Sequence, residues 1–116
     1  MGRSGDIAWF EFVESKIFSK QVRALGEVLT RIQSDLVESP ERGAVVKGTH
    51  GVRKARVADP ASSRGKSGGY RYLYLYLEHA GRIHLLYLFS KGEQTDLSPQ
   101  QKEIIAALSQ AIRKEL

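Results

Sequence analysis

Lys54 and Arg56 stand two residues apart in the run Val52-Arg53-Lys54-Ala55-Arg56-Val57-Ala58, and Arg71 opens a second run, Tyr70-Arg71-Tyr72-Leu73-Tyr74-Leu75-Tyr76-Leu77. Extended chain turns alternate side chains to opposite faces, so cations at a spacing of two meet one ligand together. Arginine suits an anion with several oxygens, because its planar fork stays charged and matches phosphate geometry. A lysine among other cations can also take part in proton transfer, since neighbouring positive charge favours its neutral form. Arg53, Arg64 and Lys66 crowd into the same stretch, the last two in the small, cationic loop Asp59-Pro60-Ala61-Ser62-Ser63-Arg64-Gly65-Lys66-Ser67-Gly68-Gly69. Such clustering implies a phosphate-rich partner; a solvated basic strand is the plainer reading.

The rest of the composition narrows the chemistry. The chain has 116 residues, a formal charge of +5 and no cysteine, which fits a single domain with one core and excludes disulfide and thiolate chemistry. His50, His79 and His84 lack ligand-like spacing, so they are read as loop, turn and strand residues, with no metal and no cofactor expected. No apolar run approaches a membrane span, and the first residues do not lead into a signal-peptide core. The expectation is a soluble, cytoplasmic protein with no membrane partner.

These cations need a scaffold, and the pattern supplies one. Residues 7–14, with Trp9, Phe10, Phe12 and Val13, read as a first strand. Phe18, Val22, Leu25, Leu29, Ile32 and Leu36 then recur at steps of three and four, on one helical face. Gly26 interrupts that face, predicting two packed helices or one bent helix that stops by Ser39-Pro40. In residues 70–77 tyrosines take the even positions and leucines the odd, so the leucines are expected on the helices and the tyrosines on the other face. A tyrosine row of this kind serves cross-strand packing as well as base stacking. Residues 83–89 are apolar at both parities, as in a strand covered on both sides. Ser98, Pro99 and Gln101 mark a helix start with a capping box, and Ile104, Ile105, Leu108 and Ile112 form its apolar stripe. The predicted architecture is α+β: a strand, a helical hairpin or bent helix, a three-stranded antiparallel meander and a C-terminal helix.

In that setting the motifs Lys47-Gly48-Thr49, Gly51-Val52-Arg53-Lys54-x-Arg56-Val57, Gly65-Lys66-x-Gly68-Gly69-x-Arg71 and Lys91-x-Glu93-x-x-Asp96-Leu97 resemble the RelE/ParE superfamily of toxins from toxin–antitoxin systems, and within it the HigB-like branch of RelE-type toxins. The resemblance extends from about Phe10 to the C-terminal helix. It implies a ribosome-dependent endoribonuclease that cleaves mRNA and arrests translation without a metal, and a neutralising antitoxin, often of helix-turn-helix type.

In that family the 2′-hydroxyl attacks the adjacent phosphate. The hydroxyl must lose a proton, the phosphate charge must be stabilised, and the leaving oxygen must gain a proton. The resemblance implies Lys54, Arg56 and Arg71 as catalytic positions; Lys91 is read with them as catalytic, and Arg53, Arg64, Lys66, Tyr74 and Glu93 are read as RNA contacts. Three positions depart from the family pattern. Gly92 stands where the RelE prototype has an arginine, Phe89 where HigB-like chains commonly have tyrosine, and Leu97-Ser98-Pro99 where the prototype has its catalytic tyrosine. Two other functions stay open: a gyrase poison of the ParE type, and a non-catalytic RNA- or ribosome-binding module.

Overall fold

A computed structural model of the chain describes residues 10–61 and 69–116. The elements are β1 (Glu11–Glu14), α1 (Lys16–Val22), α2 (Gly26–Glu38), β2 (Ala44–Val45), β3 (Arg53–Val57), β4 (Tyr70–Leu77), β5 (Arg82–Phe89) and α3 (Pro99–Lys114). They form a five-stranded sheet in the order β1-β5-β4-β3-β2, flanked by helices on both faces. The predicted meander is β3-β4-β5, antiparallel throughout. β1 adds to its far edge in parallel with β5, and the two-residue β2 lengthens the other edge.

The helical stretch is two helices, and Gly26 begins the second rather than bending one. Ser15 starts α1: its hydroxyl accepts from the Phe18 N–H at 3.0 Å and donates to the Leu86 carbonyl at 2.8 Å. That second bond covers β5 beyond the point where β1 stops. Gln21 continues the cover, its side-chain amide donating to the Leu88 carbonyl and accepting from the Leu88 N–H, both at 2.7 Å. An unpaired strand edge invites foreign pairing, and here the side chains of Ser15, the cap of α1, and Gln21 within it occupy that edge.

Both faces of the sheet are apolar, and each takes a different helix. Tyr72, Tyr74, Ala55, Val57, Ile83, Leu85 and Leu88 pack under α1 and α2, against Phe18, Val22, Val28, Ile32 and Leu36. Leu73, Leu75 and Leu77 lie on the opposite face with Val52, Leu86, Phe89, Ile105 and Ile112. The alternation in β4 is as expected, but the faces are reversed: the tyrosines meet the helical pair and the leucines meet α3. Tyr72 and Tyr74 are wholly buried, so neither offers a ring to a base.

A register shift interrupts the β4–β5 ladder. Leu73 pairs with Tyr87 while Tyr74 pairs with Leu85, leaving Leu86 as the extra residue. One extra residue reverses the parity of everything after it. Leu86 and Tyr87 therefore both reach the α3 face, and Phe89 follows them there.

α3 opens as predicted: Ser98 Oγ accepts from the Gln101 N–H at 3.1 Å, and the Gln101 side chain accepts from the Ser98 N–H at 2.8 Å. Its C-terminal half is clamped to the turn before β3. Ser109 Oγ donates to the His50 carbonyl at 2.7 Å and Arg113 Nη2 donates to the same oxygen at 3.0 Å. Beneath them Thr49, fully buried, donates to the Val46 carbonyl at 2.6 Å. Lys47-Gly48-Thr49-His50-Gly51 thus serves as the dock of α3. The apolar stripe is divided: Ile105 and Ile112 pack on the sheet, whereas Ile104 is 62% and Leu108 37% exposed. Those two line a groove of about 290 Å³ with Ile17, Leu86, Tyr87 and Phe89.

Candidate active site

The cations singled out by spacing come together on the α3 face, where the helix leaves the sheet uncovered. Arg56 pairs with Arg71, and Arg71 pairs with Phe89, so the three make one row across β3, β4 and β5. The next row is Lys54, Leu73 and Tyr87. Directly paired residues point to the same side, so Lys54, Arg56 and Arg71 share a face with the leucines of β4. Arg71 needs no redirection at the start of its strand to meet the other two. A cleft of about 310 Å³ lies along β3 beside Lys54 and Arg56, lined also by Arg42 and Ala55.

The loop between β5 and α3 closes over this face and is held from two sides. Lys54 Nζ donates to the Thr95 carbonyl at 3.2 Å and lies 3.9 Å from the exposed Asp96 carboxylate. Tyr87 Oη donates to Glu93 Oε2 at 3.1 Å, and Glu93 Oε1 accepts from the Ser90 N–H at 2.7 Å. Burial, reinforced by Glu93, pushes the Tyr87 phenol above its ordinary value of 10.0. Its ring meets Phe89 edge-on with centroids 5.1 Å apart.

Glu93 reaches this face through a tyrosine that sequence reasoning did not select. The missing signal is the bulge: by simple alternation Tyr87 would share a side with Leu85, under α1. The alternation of Lys54 and Arg56, with no bulge between them, carried through.

Other expected residues have different occupations. Arg53 alternates away from Lys54 and secures the loop before β2, donating to the carbonyls of Glu41 at 3.1 Å and Gly43 at 2.6 Å. Tyr74 ties down the same loop: its hydroxyl donates to the Pro40 carbonyl at 2.8 Å and accepts from the Gly43 N–H at 3.0 Å. An RNA contact for either is corrected to a structural role, because each spends its polar atoms inside the fold on the far side of the sheet. Lys91 follows the end of β5, where Gly92 turns with φ +79°. Its ammonium pairs with Asp59 and sits 5.7 Å from the Tyr70 ring centroid, on the α1–α2 side. The Lys91 hydrogen bond holds the Asp59 carboxyl below its ordinary value of 3.8. Lys91 is thus engaged elsewhere than with Lys54, Arg56 and Arg71. Arg64 and Lys66 lie outside the described residues.

Among the described residues there is no group of three His, Asp or Glu side chains that would hold a metal ion, and no helix long and apolar enough to cross a membrane. What remains is an electropositive row with a phenol and a carboxylate at its margin. Such a surface can seat a phosphodiester and supply both charge and a proton to it.

Comparison with known proteins gives this surface a context. A family model described as "RelE toxin of RelE / RelB toxin-antitoxin system" matches residues 15–115. Two solved structures of the Escherichia coli RelE toxin superpose on the chain. One is a doubly substituted form in the free state, 22% identical, covering 95% of this chain and 100% of that one, with a TM-score of 0.52. The other is the isolated toxin, 21% identical over 94% of this chain and 100% of that one, with a TM-score of 0.54. At those identities the likeness to the two structures is one of fold.

Proposed function

Because the chain belongs to the RelE toxin family, and is therefore the toxin of a toxin–antitoxin system, we propose that it arrests translation by cutting mRNA on the ribosome. The observation that carries this reading is the direct pairing of Arg56 with Arg71, with Lys54 beside them on the open part of the α3 face. Arg71 holds the scissile phosphate at the centre of the row. Its fork takes two oxygens and stays in place as charge builds on them. Arg56 shares that load from β3, and the Lys54 ammonium steadies the 2′-oxygen as it becomes nucleophilic. No metal is required in this reading, because three cations on one face supply the charge.

The family also implies an antitoxin that neutralises the chain. We infer a helix-turn-helix protein that covers or disables the basic face, since converging cations suit an acidic partner. A ribosomal target sets the site of action in the cytoplasm.

The test is controlled expression with transcript ends mapped while translation is active or blocked. New internal ends that appear only during translation are expected. Intact mRNA with collapsing DNA supercoiling would instead identify a gyrase poison. Growth arrest with neither change would identify a module that binds the ribosome without cutting.

A further inference from the structure

Tyr87 shares a face of the sheet with Lys54, Arg56 and Arg71, and the register fixes its place among them. Arg71 pairs with Arg56 on one side and Phe89 on the other; Lys54 and Tyr87 are the residues two positions back on those same strands. Each is therefore diagonal to Arg71, one on β3 and one on β5. Diagonal neighbours on one face stand roughly 7 Å apart, within reach of long side chains. Between Lys54 and Tyr87 lie two strand spacings, roughly 10 Å.

In-line displacement at phosphorus puts the attacking and departing oxygens on opposite sides of the phosphate. With a hydrogen bond of about 2.8 Å at each end, the groups that serve those oxygens stand on the order of 9 Å apart. The strand positions of Lys54 and Tyr87 are set apart by about that span, with Arg71 diagonal to both on the strand between them. Their tips give a second sign of convergence: both end on one three-residue segment, Lys54 at Thr95 and Tyr87 at Glu93.

We propose that Tyr87 is the general acid of the cleavage, giving its phenolic proton to the departing 5′-oxygen; the proposal rests on the nuclease reading above. The 2′-oxygen forms a bond to phosphorus, and its proton leaves to water on the Lys54 side. The P–O5′ bond breaks with its electron pair on the 5′-oxygen, which takes the proton from Tyr87 Oη. The products are a 2′,3′-cyclic phosphate and a free 5′-hydroxyl, and water returns a proton to the phenolate. Burial and Glu93 keep the phenol protonated at neutral pH, while a phenol remains more acidic than the sugar alcohol it serves. Glu93 is a positioning residue: anchored by the Ser90 N–H, it holds the hydroxyl at the margin of the row.

The experiment uses ribosomes carrying mRNA with the cleaved linkage made in two forms, one with the ordinary 5′-oxygen and one with sulfur there. A thiolate leaves without a proton, so it makes an acid unnecessary. Tyr87→Phe keeps the ring against Phe89, and thermal unfolding checks that it is folded. On the oxygen linkage it is expected to be slower by about a hundred-fold or more, and on the sulfur linkage to match the wild type. Glu93→Gln should show a smaller loss, also restored by sulfur. Equal slowing of Tyr87→Phe on both linkages would overturn the acid role, as would full speed on oxygen. If wild type cuts and Arg71→Ala does not, while Tyr87→Phe is unimpaired, only the acid assignment falls. If wild type leaves the mRNA whole, the nuclease reading falls with it.

Discussion

Arg56 and Arg71 stand directly opposite one another in the β3–β4 ladder, and neither has a carboxylate within ion-pair distance among the described residues. Like charges directly opposed on a sheet are destabilising. The nearest compensation in the neighbouring row is Asp96, largely exposed and 3.9 Å from Lys54. Arg53, on the other face, has two carbonyls and Glu41. The fold therefore neutralises a cation where it is structural and leaves the pair on the α3 face without a carboxylate partner among the described residues.

Replacing Arg71 should separate function from stability. Arg71→Ala is expected to lose on the order of a hundred-fold to a thousand-fold in cleavage, with an unfolding midpoint equal to or above that of the wild type because the repulsion is gone. Arg71→Lys should recover only part of the rate, since a point charge lacks the fork. Arg56→Ala should be slower as well, and the two losses should not add if both act on one phosphate. Cleavage on programmed ribosomes and thermal unfolding read these outcomes together. A large fall in midpoint for Arg71→Ala would make it a structural arginine.

Tyr74→Phe should behave in the opposite way. Its hydroxyl bridges the Pro40 carbonyl and the Gly43 N–H in the buried seam between α2 and β2. Removing it leaves both without that partner, at a cost of about 1–3 kcal/mol. The folded fraction should cleave at the wild-type rate. Urea unfolding gives the stability and a ribosome assay the rate; a stable but inactive variant would restore the RNA contact that burial argues against.

What could be read from the chain, and what could not, follows from the range of each signal. Lys54 and Arg56 were legible because a spacing of two in a strand is a local fact, as was the Ser98–Gln101 capping box. The side chosen by the tyrosines of β4 was not legible. Both faces of this sheet are apolar, and only tertiary packing decides which receives α1 and α2. Leu86 hid Tyr87, because one extra residue in β5 changes parity without altering composition. β2 escaped notice because Ala44 and Val45 are both exposed and too few to alternate. The glycine-rich turn before β3 has residue types that suit an anion, yet its carbonyl at His50 is taken by α3.

Stability should fall as the pH drops below neutrality, and His84 is the reason. It faces α3 from β5, opposite Leu75, and its Nε2 is buried without a hydrogen-bond partner among the described residues. Burial, then Arg82, lowers its pKa from the ordinary 6.5, against weaker opposing pulls from Glu11 and Glu115. A folded-state pKa below the unfolded one means protons bind the unfolded chain more readily. The contribution is present above 6.5 and is lost as the pH falls through the folded value. The midpoint of the wild type should drop between about pH 7 and about pH 5, the window in which histidine charges. His84→Leu should flatten that slope, and an unchanged slope would put the titrating group elsewhere.

The dock of α3 supplies the last expectation. Gly51 has φ +94°, and a Cβ there would stand 2.5 Å from Arg113 Nη2. Gly51→Ala therefore does two things at once. It strains the backbone by about 1–3 kcal/mol, and it pushes aside the guanidinium that reaches the His50 carbonyl. Ser109→Ala removes the other bond to that oxygen, worth about 1 kcal/mol. Because both substitutions weaken one clamp, their effects should not add. Amide exchange should rise in the C-terminal turns of α3 in either variant, while the β4–β5 ladder stays protected. Cleavage should fall too, since the loop bearing Glu93 and Thr95 leads directly into α3 and must stay over the row to meet Tyr87 and Lys54. Unchanged exchange in α3 on Gly51→Ala would mean that the apolar contacts of Ile105 and Ile112 hold the helix without the clamp.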